Sequence, residues 1–100
     1  MIGNGSSTSS FGNTGETIIR LGGDTIFDNS ILGLANAHIM DYVATDKHKT
    51  VLGRHGSAAT NTAAAAGRWA NTGAITSVTV LASNANFGVG STFALYGVSA

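Results

Sequence analysis

Cysteine and proline are both absent from the 100 residues. Without cysteine there is no disulfide framework and no thiolate metal site, so the fold does not depend on an oxidising compartment. Without proline, one common device for blunting a sheet edge is missing. Charge is scarce as well: 10% of residues are charged, with five Lys/Arg balanced by five Asp/Glu, where an ordinary soluble domain carries about 25%. Such a surface has little electrostatic reason to stay dispersed, because near-zero net charge promotes association. The same balance leaves no basic patch for nucleic acid. No apolar run approaches the ~20 residues that span a bilayer, so no membrane partner is expected. Residues 1–10 have neither a basic start nor an apolar stretch, and no signal peptide is expected there.

The residues that are present read as one small all-β domain behind an arm. Residues 1–15 are dominated by Gly and Ser and read as a flexible arm, with a neighbouring subunit as its expected holder. Residues 16–100 read as a single domain. Strand signals recur in it at short spacing. Thr17-Ile18-Ile19-Arg20-Leu21 ends at Gly22-Gly23, and Thr25-Ile26-Phe27 precedes the turn cluster Asp28-Asn29-Ser30. Residues 37–43 alternate, with His38, Met40 and Tyr42 on one face and Ile39, Asp41 and Val43 on the other. Neither face is cleanly apolar, which suits a strand covered on both sides. Residues 49–54 form another strand. The alanine-rich stretch 58–66 favours a helix by propensity, yet lacks long apolar residues at helical spacing, and a strand is the preferred reading. Residues 74–82 are enriched in β-branched side chains. Residues 91–98 alternate Phe93, Leu95 and Gly97 against Thr92, Ala94 and Tyr96. Short strands with frequent turn signals predict an antiparallel β-sandwich or barrel. Its expected core is Ile75, Val78, Val80, Phe93 and Leu95, and a strong final strand is expected to lock the fold closed.

Four features in order carry a resemblance: Asp41-Tyr42; Lys47-His48-Lys49-Thr50; Trp69 with Asn71-Thr72-Gly73-Ala74-Ile75; and Gly90-Ser91-Thr92-Phe93-Ala94-Leu95-Tyr96-Gly97-Val98. Over roughly the last 60 residues the chain resembles the C-terminal β-sandwich module of bacteriophage virion structural proteins. The resemblance implies a jelly-roll-like sandwich on the capsid surface or in the tail, made in the host cytoplasm. It implies a structural role as a capsid decoration or tail subunit, with other virion proteins as partners. The larger relatives have N-terminal strands where this chain has its Gly/Ser arm, which implies that a neighbour supplies missing cover. By analogy with sandwich proteins at threefold points of capsids, a homotrimer is the expected oligomer.

Catalytic and metal constellations are not apparent. His38, His48 and His55 are the metal-ligand candidates, with Asp41 or Asp46 beside them, but His38 and Asp41 fall on opposite faces of a strand, and His48 and Asp46 sit in a turn. A metal needs several ligands in fixed geometry, so neither metal nor other cofactor is expected, and the histidines read as exposed or interface residues. No serine lies in a Gly-X-Ser-X-Gly elbow, and no spacing pairs two carboxylates, so no enzyme is expected. The Gly3-Asn4-Gly5 segment lacks the strand and helix of a phosphate loop. Arg68, Trp69 and Asn71 read as an interface cluster, joined by Tyr42 and Phe11, because Trp, Tyr and Arg concentrate binding energy at protein contacts. The competing reading is a receptor- or carbohydrate-binding module of a tail fibre, in which Trp69 and Tyr42 stack on a cell-surface glycan.

Overall fold

The computed structural model describes residues 1–3, 5–10, 12–21, 32–58, 61–82 and 86–98. These residues hold five strands and no helix: β1 (Ile2–Gly3), β2 (Thr8–Ser9), β3 (Gly33–Ile39), β4 (Lys49–Ser57) and β5 (Thr62–Trp69). They form one antiparallel sheet in the order β2-β1-β5-β4-β3. The meander β3-β4-β5 is its body. Val51 faces Ile39 on one side and Gly67 on the other, and His55 faces Ala35 and Ala63. The expectation of an all-β antiparallel fold therefore holds among the described residues, and of the alanine-rich stretch 58–66, residues 62–66 lie in strand β5. Its small side chains bury little surface as a helix stripe, whereas in a strand they let other chain segments lie close to the sheet.

Directly paired residues in an antiparallel ladder share a face, so the register sorts the sheet into two. One face carries Ala35, Ala37 and Ile39 from β3, Lys49, Val51, Gly53 and His55 from β4, and Ala63, Ala65, Gly67 and Trp69 from β5. Residues 19–21 lie across it. A Cβ on Gly53 would meet Leu21 Cδ2 at 2.5 Å, and a Cβ on Gly67 would meet Ile19 Cγ2 at 2.7 Å. The two glycines are thus the seats of Leu21 and Ile19, the close approach that an isolated strand glycine serves. The opposite face, with Leu34, His38, Leu52, Arg54, Ala64, Ala66 and Arg68, is exposed along its length.

Several expectations change. Residues 17–21 lie on the sheet without being a strand. The strand expected over 37–43 ends at Ile39; one more ladder bond runs from the Met40 N–H to the Thr50 carbonyl, and then Asp41 turns at φ 54°, a left-handed conformation that Asp tolerates better than most residues. Two pieces of the arm join the sheet: β1 and β2 extend it from β5, and the Ala64 N–H donates to the Met1 carbonyl at 3.0 Å. Residues 25–27 lie outside the described residues.

The largest departure is the core. Among the described residues the buried apolar side chains are Val51 and Ala63. Of the expected core, Ile75 is half-buried, while Val78, Val80, Phe93 and Leu95 are exposed. Among the described residues, 74–82 and 91–98 form no ladder with the sheet; the first is tied to the 41–47 turn through the Ile75 N–H, and in the second Phe93 packs edge-to-face on Phe87. Only one sheet is described. A 10.0 kDa chain folded alone exposes about 5,200 Å², but this chain exposes 7993 Å². Its radius of gyration is 14.6 Å, where a compact domain of this length has about 13 Å.

Candidate functional site

The best-built locus lies where β4 begins and β5 ends. Lys49 opens β4 on the covered face and is fully buried. Its ammonium group donates to three backbone carbonyls: Ala44 at 2.6 Å, Thr72 at 2.8 Å and Lys47 at 3.1 Å. An ammonium has three N–H donors and tolerates burial only when they are used; here all are. The cage draws together three stretches of chain: β4, the 41–47 turn and the segment after β5. The Ile75 N–H donates to the Tyr42 carbonyl at 2.8 Å beside it, and the Ala44 N–H closes a turn onto the Asp41 carbonyl. Asn71 shapes the exit from β5. Its N–H donates to the Trp69 carbonyl, and its side-chain oxygen accepts from the Gly73 N–H at 2.7 Å.

The expected interface residues meet here only in part. Trp69 is opposite Lys49 on the covered face and 46% exposed; Tyr42, also 46% exposed, belongs to the turn that the cage holds. Arg68 is opposite Thr50 on the other face. Adjacent strand residues point to opposite sides, so Arg68 and Trp69 do not form one cluster. Asn71 is a turn-former. Phe11 lies outside the described residues.

The histidines scatter. His38 is exposed on the uncovered face, His48 is exposed before β4, and His55 is buried beneath the covered face, contrary to its reading as a surface residue. Desolvation holds the His55 pKa below the ordinary 6.5, which keeps the imidazole neutral in water at pH 7. Among the described residues no three of His, Asp and Glu gather where a metal could be held, and no helix is long and apolar enough to cross a membrane. An open depression of ≈ 620 Å³ lies on the uncovered face between Leu34, Asn36, Arg54, Thr62 and Thr8.

The sequence reading passed over Lys49, Gly53 and Gly67 as functional positions. The signal for the glycines was there, since each interrupts an otherwise regular strand pattern. Nothing in the sequence marks Lys49 as buried, because its partners are backbone carbonyls, two in the preceding turn and one, Thr72, 23 positions away. Comparison with family models, curated proteins and solved structures gives no match to this chain.

Proposed function

We propose that this chain is a bacteriophage virion structural protein, an oligomeric decoration or tail subunit whose work is to cover and be covered by neighbouring subunits. The observation that carries the reading is the surface. The exposed area exceeds that of a self-contained monomer of equal mass by about 2,800 Å². Spread over two neighbours, as in a ring of three, the excess is about 1,400 Å² per contact and chain. That falls in the range of obligate interfaces, which bury about 2,000–5,000 Å² in total. The ordered motifs from Asp41 to Val98 supply the virion part of the reading, and the second layer of a jelly-roll-like sandwich would arise on assembly. A structural role also suits a site made of turns and a caged lysine.

Two measurements test it. Light scattering on the intact chain is expected to give a closed oligomer, with a trimer as the first candidate; a monomer at tens of micromolar overturns the reading. Mass spectrometry of gradient-purified phage particles from a lysate in which the chain is made is expected to find its peptides in stoichiometric amount; their absence overturns the virion assignment.

A further inference from the structure

The sheet ends in two unlike edges. One is β2, two residues long, and a very short strand is a usual way to protect an edge from further pairing. The other is β3, seven residues long and without Pro, Lys, Arg, Asp or Glu. Its register with β4 runs unbroken from Gly33 to Ile39, so no bulge turns it aside. Residues 34–38 are all exposed, and among the described residues no strand lies on the far side of β3. An edge of this kind, long and unguarded by charge, proline or bulge, is a template for another strand.

The hydrogen bonding fixes which groups are open. Met40 continues the register of β3 opposite Thr50, and its N–H donates to the Thr50 carbonyl at 2.9 Å. Bonded and non-bonded pairs alternate along an antiparallel ladder. The backbone groups of His38, Asn36 and Leu34 are therefore turned toward β4, and those of Gly33, Ala35, Ala37 and Ile39 are turned outward. Each of these residues offers one N–H and one carbonyl, repeating at about 6.8 Å along the strand. Another extended backbone presents acceptors and donors at that repeat, whereas a small ligand meets one pair and leaves the rest. The side chains narrow the choice of strand. Gly33, Ala35 and Ala37 are small and leave room for bulky apolar side chains opposite them. No acid, lysine or arginine on β3 selects a charged partner.

We infer that the outer edge of β3 is a docking site for an extended strand of a different protein, uncharged and apolar at alternate positions, which pairs with Gly33, Ala35, Ala37 and Ile39 and continues the sheet. The inference rests on the assembly reading above where it sets aside a second copy. β3 against β3 is a twofold contact that closes as a dimer, which a ring of three does not contain, and β2 offers a neighbour two residues against seven.

Hydrogen exchange followed by NMR on the full chain, beside light scattering, tests it. The probe is a capped peptide that alternates valine and threonine over the seven-residue length of β3. At millimolar peptide the amides of Ala35, Ala37 and Ile39 are expected to exchange slower by about threefold or more, and the same peptide N-methylated at alternate residues to leave them unchanged. Ala37→Pro loses an outward donor and none of the β4 ladder. It is expected to keep amide protection in β4 and β5 and to lose the effect of the peptide at Ala35 and Ile39. No slowing, equal slowing by the N-methylated peptide, or an unchanged effect in Ala37→Pro overturns the inference, and a trimer that gives any of these leaves the assembly reading standing. A monomer whose edge amides slow with peptide overturns the assembly reading and supports the docking edge. Edge amides already protected in the chain alone overturn the inference, and loss of that protection on dilution names a second copy as the occupant. Should Ala37→Pro fail to fold, the N-methylated peptide on the wild-type chain decides.

Discussion

At the residue scale, the covered face depends on two glycines and one lysine. Gly67 lies under Ile19 so closely that an added Cβ would approach Cγ2 and Cγ1, at 2.7 and 3.2 Å, near the β-branch of a stiff side chain. Gly53 meets only the tip of Leu21 below 3 Å, and that tip can swing aside. Gly67→Ala is therefore expected to cost about 1–3 kcal/mol by overpacking, and Gly53→Ala less, read as shifts of the urea midpoint; the reverse order would place residues 19–21 elsewhere. Lys49→Met keeps the stem and removes the donors, stranding the Ala44, Lys47 and Thr72 carbonyls. The expected loss is about 3 kcal/mol, since each bond to a charged donor is worth about 1.5–3 kcal/mol and part is recovered by water. Lys49→Arg should not rescue it, because a planar fork cannot serve three converging carbonyls as an ammonium does. His55 sets the pH dependence. Its folded pKa lies below 6.5, so below that pH the unfolded chain binds a proton that the folded chain resists. Stability should be full above about pH 6.5 and fall as pH drops through the window between the two values. In His55→Gln the urea midpoint should lose that acid-side slope; an unchanged slope would assign it to another group.

At the scale of elements, the sequence was most legible where a strand's partners lie next to it in the chain. β4 and β5 are consecutive, and alternation through Val51, Gly53 and His55 shows one face narrowing to accept other chain. The β1-β2 hairpin was not legible. Its residues, Ile2, Gly3, Thr8 and Ser9, have no strand pattern of their own and are ordered by the free edge of β5, a tertiary effect that local propensity cannot register. Residues 74–82 and 91–98 are the converse: a clear strand pattern with no ladder. A pattern reports which side chains suit a pleated, half-buried surface, not which molecule supplies the other half. The candidate site divides the same way. Trp69 and Tyr42 were recognisable as large, partly polar anchors, whereas the lysine cage is made of backbone carbonyls, one of them 23 positions from Lys49, and has no side-chain signature. Because residues 91–98 contribute no ladder to the sheet among the described residues, deleting residues 91–100 is expected to leave amide protection in β4 and β5 in place. Loss of all protection on that deletion would restore the last segment as the element that closes the fold.

For the whole molecule, the ratio of surface to core decides what stability means. A chain whose buried apolar side chains, among the described residues, are Val51 and Ala63 draws little from these contacts to set against conformational entropy, since each ordered residue costs about 1–2 kcal/mol of backbone entropy. On the proposed assembly, association supplies further free energy, and association obeys mass action. For a trimer that unfolds to separate chains, a hundredfold dilution lowers stability by about 1.8 kcal/mol per chain. With a urea slope of about 1 kcal/mol/M for a small domain, the midpoint should fall by roughly 1–2 M between 100 μM and 1 μM protein. Chemical denaturation followed by Trp69 fluorescence at the two concentrations reads this directly, because the single tryptophan sits where β5 meets the lysine cage. A midpoint independent of concentration would mean that the sheet is stable by itself, and the exposed area would then need an explanation other than neighbouring subunits.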